Sequence, residues 1–299
     1  MTVLVGLAPN ERGLAALQLG AVLARSFGDD LVLATIVPAP WPPNPNRQDA
    51  EYLAYLEQAA REVHDRAQAE LGNELRLDLV VHRARSVSSG VVEVAREQQA
   101  SVVTVGSSAA GLLGLVTLGG VGQRVLHTSD IPVAIAPGGY AGHPHGRISR
   151  ITVAFGRADG DSDLLITAAQ TAERIGATLR VVCFAVRPMA VFAGGIEQET
   201  ENLVVDQWVK GIEADVSRAL NSVRAAGTVA VRTDSDLVVG QGTSWSEALA
   251  AVAWAEGDLL AVGASSSPVS RFFLGSHASK IVRNSPVPVY VMPRSIPLP

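Results

Sequence analysis

The sequence predicts an α/β protein built from two doubly wound domains, each carrying a parallel five-stranded sheet. Three observations predict it. Apolar strand-like runs alternate with helical patterns along the chain, the order of elements repeats in the two halves, and a joint rich in Gly, Pro and His, "PGGYAGHPHGRIS" at 137–149, separates the repeats. The expected boundaries are 1–138 for the first domain, 139–148 for a linker and 149–299 for the second. Two copies in one chain are expected to pack about a pseudo-twofold axis, as the subunits of a dimer do.

Each half opens on an apolar strand, "TVLVGLA" at 2–8 and "RITVAFG" at 150–156. An amphipathic helix follows. In the first half Leu14, Leu17, Ala21 and Ala24 recur on one face; in the second "DSDLLITAAQTAERIG" does the same, with Asp161 or Ser162 as its cap. Second strands, "DLVLATIVP" and "ATLRVVCFAV", come next. The first half then has a stiff connection with five prolines between Pro38 and Pro45. After it a helix presents Leu53, Leu56, Ala60, Val63 and Ala67 on one side and stops at Gly72. "ELRLDLVVH" alternates apolar with polar residues and predicts a half-exposed strand. Ser244 and Glu247 have capping-box spacing and predict a helix start in the second half. The final strands, "IPVAIAP" at 131–137 and "VPVYVMP" at 287–293, are natural candidates for the contact between halves.

Composition narrows the function. A net charge of −5 and a pI near 5.7 argue against nucleic acid or an anionic membrane as the main partner. The longest uncharged stretch, about Ser101 to Gly122, contains six Gly and three Ser and has no flanking anchors, so it reads as a strand, a loop and a helix start rather than a bilayer span. The N-terminus lacks the basic region of a signal peptide, and the one cysteine, Cys183, sits in an apolar run and suits a reducing compartment; a cytoplasmic protein is expected. His143 and His145 have no third ligand nearby in sequence and read as linker residues rather than a metal site.

Ligands of open α/β sheets bind beyond the carboxyl ends of the strands. "GSSAAGLLGLVTLGG" at 106–120 and "GASSSPVSRFFLGS" at 263–276 fall there as copies of one strand-to-helix loop. Small residues let backbone amides approach a ligand, and a helix N-terminus attracts anions, so phosphate could be held without lysine.

These loops, with the "P-V" strands after them, resemble the universal stress protein family in its tandem form, over nearly the whole chain. The resemblance implies the adenine-nucleotide alpha hydrolase-like fold and, in nucleotide-binding members, a G-x2-G-x9-G-[S/T] loop with an Asp after the first strand. The first half reads Gly106-x2-Ala109-x9-Gly119-Gly120, with Ala8 at the Asp position. The second reads Gly263-x2-Ser266-x8-Gly275-Ser276, one residue shorter, with Gly156 at the Asp position between Phe155 and Arg157. Polar groups are scarcer in the first loop, which offers Ser107, Ser108 and Thr117. The second has Ser265, Ser266, Arg271, Ser276 and His277. Arg clamps phosphate bidentately and protonated His donates to it, so an anionic ligand is expected in the second half rather than the first. Arg124 and Lys280, five residues beyond Gly119 and Gly275, read as exposed helix residues.

The expected function is a stress-response regulator binding ATP or another adenine nucleotide, with no metal beyond nucleotide-bound magnesium. Its partners would be that small molecule and a protein that the sequence does not identify; the intrachain pseudo-dimer also admits a homodimer. The alternative is a nucleotide-free interaction scaffold, suggested by the missing Asp in both halves. An enzyme is not expected: there is no G-x-x-x-x-G-K-[ST] loop, no G-x-S-x-G elbow and no H-E-x-x-H helix.

Overall fold

The structure, a computed structural model, describes residues 2–8, 11–38, 47–72, 74–108, 114–143, 145–156, 161–186, 198–225, 233–267 and 270–293. The first half runs β1 (Thr2–Gly6), α1 (Glu11–Phe27), β2 (Asp30–Pro38), α2 (Arg47–Leu71), β3 (Leu77–Ala84), α3 (Val87–Glu97), β4 (Ala100–Gly106), α4 (Gly120–Thr128) and β5 (Val133–Ala136). The second runs β6 (Arg150–Ala154), α5 (Asp161–Ile175), β7 (Thr178–Val186), α6 (Gln198–Ala225), β8 (Thr233–Gly242), α7 (Trp245–Ala250), β9 (Asp258–Ser267), β10 (Ser270–Phe273), α8 (Ser276–Arg283) and β11 (Val289–Pro293).

Within each half the main strands are parallel, in the order β3-β2-β1-β4-β5 and, mirrored, β11-β9-β6-β7-β8. The halves meet where β5 and β11 pair antiparallel, with Val289 opposite Ile135, Tyr290 opposite Ala134 and Val291 opposite Val133. The "IPV" and "VPV" strands thus make one continuous sheet of 11 strands, β10 included. Both hydrophobic cores cross this seam. One joins Leu17 and Leu33 to Leu165 and Leu179; the other joins Val103 and Ile135 to Leu260 and Val289.

The helix patterns place the core. On α2, Ala60, Val63 and Ala67 are buried as their spacing predicts. Helix α1 departs from expectation at one end. Leu14 is 45% exposed, while almost every residue from Ala15 to Ala24 is buried, because α2 and the second half's α5 enclose the helix against the sheet. The linker is tied down. His145 Nδ1 lies 2.8 Å from Glu74 Oε2, Ser26 Oγ accepts from the Ile148 amide at 2.8 Å, and Arg147 donates to the Arg25 carbonyl. Cys183 is buried in strand β7.

Helix α2 also carries a buried histidine. His64 Nε2 sits 3.0 Å from Thr35 Oγ1, and burial depresses its pKa below the usual value, against a smaller upward pull from Asp65. The unfolded chain protonates this residue near its ordinary pKa of about 6.5, where the folded chain does not. The unfolded state therefore binds more protons on acidification, and stability falls as pH drops below about 6.5 and on through the lowered folded value. Melting temperature is expected to decline over that range. His64→Gln, which keeps a hydrogen-bond partner for Thr35, should flatten the decline; an unchanged pH profile in that variant would count against the assignment.

Candidate ligand site

The order of strands reverses between β1 and β4, and a cavity of about 310 Å³ opens there at the carboxyl edge of the first half. Its walls come from the end of β1 (Gly6, Leu7, Ala8), from Ala34 and Ile36 of β2, and from Val87 and Val91 of α3. The rest is the strand-to-helix turn, Gly106 to Ser108 and Gly119 to Gly122, with Val105 behind it. No charged side chain lines it among the described residues.

The turn is held by its own hydrogen bonds. Ser107 Oγ donates to the Ala136 carbonyl at 2.7 Å and accepts from the Thr117 amide at 3.0 Å. The Ser108 amide donates to the Thr117 carbonyl at 2.7 Å, and the Gly114 amide to the Gly138 carbonyl at 2.7 Å. Ser107 and Thr117 are thus structural members of the turn. Ser108 lies against the helix start, where a Cβ on Gly119 would come within 3.1 Å of the Ser108 Cβ; that close approach explains the glycine. Gly119 is the N-cap of α4 and supplies no side-chain acceptor, so the first-turn amides of Gly120, Val121 and Gly122, all at the cavity wall, have no cap. Arg124, exposed as expected, folds back on this turn, with Nε 3.1 Å from the Gly120 carbonyl. Ala109 lies outside the described residues.

The second half differs. Residues 264–267, read from sequence as the start of a loop, continue β9 instead, and β10 folds back on them with Ser270 opposite Ser267 and Phe273 opposite Ser265. Gly263 is an interior strand residue opposite Met292, and Ser266 lies in the same strand. The physical reason is backbone pairing: main-chain groups that a turn would leave for a ligand lie here in an antiparallel hairpin. Phe155 is 5% exposed and packs in the core with Leu165 and Leu179, while Gly156 is exposed; Arg157 lies outside the described residues. Gly275 and Ser276 do start a helix, with Gly275 as the N-cap.

Strand register shows what fills the equivalent space. Gly6, Ala34 and Ile36 correspond to Ala154, Val182 and Phe184. From the N-caps Ser86 and Ser244, Val87 corresponds to Trp245 and Val91 to Leu249; from Gly119 and Gly275, Val121 corresponds to His277. Each of these positions carries the larger side chain in the second half. The Trp245 ring lies 6.4 Å from Phe184 and 5.4 Å from His277, centroid to centroid, with Lys280 Nζ 5.8 Å above it. His277, expected as an anion donor, packs its ring against the Trp245 indole at a tilt of 37°, and Lys280 adds a cation–π contact.

Sequence reasoning missed Trp245, although its position one residue after the Ser244 cap was a visible signal. The cap itself forms: Ser244 Oγ accepts from the Glu247 amide at 3.2 Å. The Glu247 carboxylate reaches back to Thr243, accepting from its hydroxyl at 2.6 Å and its amide at 2.8 Å, and these bonds hold its pKa below the usual range. The first half has its own capping box at Ser86 and Ser89, with serine rather than Glu or Gln at the third helical position. Among the described residues no group of three His, Cys, Asp or Glu is arranged to hold a metal, and no helix is long and apolar enough to cross a membrane.

Strand order and cleft together define an α/β protein whose doubly wound arrangement is present twice in one chain, with an open crevice at the topological switch point of the first half. The sequence profile of the universal stress protein family matches residues 1–137 and again 147–293, and the chain belongs to that family in tandem form. It is 36% identical over 301 aligned residues to a universal stress protein of Mycobacterium tuberculosis, spanning 98% of this chain and 100% of that one. A Mycobacterium bovis universal stress protein matches with the same identity and coverage. The crystal structure of a universal stress protein from Archaeoglobus fulgidus shares the fold, with a TM-score of 0.55, 16% identity and 98% coverage of both chains.

Proposed function

We propose that the chain is a stress-response regulator that binds one adenine nucleotide in the cavity of its first half. The observation that carries this reading is the contrast between the two carboxyl edges. The first holds about 310 Å³ of open space beside a helix start with no side-chain cap, whereas the rings of Trp245, Phe184 and His277 cluster at the second. The volume lies at the small end of ligand pockets, about 300–1,000 Å³. Apolar walls at Ile36, Val87 and Val91 suit a flat base, and the amides of Gly120 to Gly122 suit a phosphate. This reverses the preference for the second half drawn from its richer set of polar side chains. With no carboxylate or imidazole on the cavity wall among the described residues, the site is read as binding rather than catalytic, in a cytoplasmic protein.

Calorimetric titration with ATP, AMP and cyclic AMP tests the proposal. One site per chain is expected. Val87→Trp, which places in the first half the residue that the second half already has, should weaken binding by at least about tenfold. Equal affinity in that variant would locate the ligand elsewhere. A second reading, the nucleotide-free scaffold, is favoured by Ala8 at the carboxylate position and by the missing hydroxyl at Gly120. Absence of heat from all three nucleotides at millimolar concentration would select it.

A further inference from the structure

A second cavity, of about 170 Å³, lies between the halves where α4 and α8 flank the β5–β11 seam. Both halves build it, from pairs related by the pseudo-twofold axis. Counted from the helix caps, Leu118 matches Leu274, Gln123 matches Ser279, and His127 matches Arg283, and all six line it. Leu126 and Val291 add further apolar surface. The polar side chains are Gln123, His127, Ser279 and Arg283, and no carboxylate lines the space among the described residues. The Ser279 hydroxyl turns to the Leu274 carbonyl at 3.3 Å, and the Arg283 guanidinium and the Gln123 amide are the donors at the rim that the proposal uses. In a chain of net charge −5, a concave surface with a guanidinium at its rim and no acid among the described lining residues favours an anion over a cation. Its leucine and valine surface asks for a ligand with an apolar body, and its volume is about half that of the first-half cavity.

We propose that this inter-half cavity binds a small organic anion of the arenecarboxylate type. The carboxylate meets the Arg283 fork, which matches its two oxygens, while the ring lies against Leu126 and Val291. The site is separate from the proposed nucleotide cavity but shares a helix with it. The first turn of α4 faces that cavity through Gly120 to Gly122, and the following residues, Gln123, Leu126 and His127, face this one. A ligand here touches both halves at once and sits one helical turn from the other cavity.

Titration of the full chain with benzoate, followed by amide NMR, provides the test. Saturable shifts at α4 and α8 are expected in the millimolar range. Arg283→Gln should weaken binding by about tenfold, and Gln123→Glu, which brings a like charge to the rim, by a similar factor. Both residues are exposed, so neither change should disturb folding. In Val87→Trp, benzoate binding should be unchanged, which separates this site from the nucleotide reading. Shifts confined to the first-half cavity, or unaltered in Arg283→Gln, would overturn the proposal. So would inorganic phosphate binding as tightly as benzoate, because the headgroup alone would then account for the affinity.

Discussion

Asp258→Ala is expected to destabilise the chain by about 3–5 kcal/mol, the usual cost of removing one member of a buried charged cluster. The Asp258 side chain is 1% exposed at the start of β9. Its carboxylate accepts from Arg150 Nε at 2.6 Å and Nη2 at 2.8 Å, from Arg180 Nη2 at 3.4 Å and from the Ala255 amide at 2.8 Å. Arg180 is itself buried, held further by Thr152 Oγ1 at 3.0 Å, the Ala253 carbonyl at 2.8 Å and the face of Trp254 at 5.1 Å. Alanine would remove the carboxylate that both guanidinium groups meet. Register gives Thr2, Val32 and Ala100 at the matching places of the first half. The fold therefore does not require the cluster, and the triple variant Arg150→Thr, Arg180→Val, Asp258→Ala should recover most of the loss. Urea unfolding measures both. A single-variant loss below about 1 kcal/mol would show that the charges are solvated despite their burial.

The second large effect is expected at the seam. Ile135 is fully buried on β5, between Val105 of β4 and Val289 of β11. Ile135→Asp would put a carboxylate into an apolar cluster, at a penalty of several kcal/mol against a total stability of about 5–15 kcal/mol. Loss of cooperative unfolding in calorimetry is the expected result. Val121→Asp, at an exposed position on α4, is the control and should melt normally. A seam variant that retained a native melting temperature would mean that β5 and β11 separate readily in solution.

Much of this architecture was legible in the residues. Alternating strand and helix patterns repeated in order, and Gly119-Gly120 marked a helix start that the structure places at Gly120. The "IPV" and "VPV" segments, natural candidates for the contact between halves, open the strands that pair there. The open cleft was less legible. Counting polar side chains in the two loops favoured the second half, yet whether a cleft is open depends on which side chains enter it from other elements. Trp245 arrives from α7 and Phe184 from β7, far from the loop in sequence. Leu14 shows the same limit: helical periodicity finds an apolar stripe, but α5 of the other half decides how much of α1 is covered.

Two identical subunits joined by such a seam would come apart on dilution and would always carry matched clefts. Here the partner is covalent, so no concentration separates it and nothing obliges the copies to stay alike. One copy can become a permanent brace, its crevice packed with its own aromatic rings, while the other keeps its hollow. On the proposed reading a guest then meets one hollow per chain, with no covalent twin to couple to it.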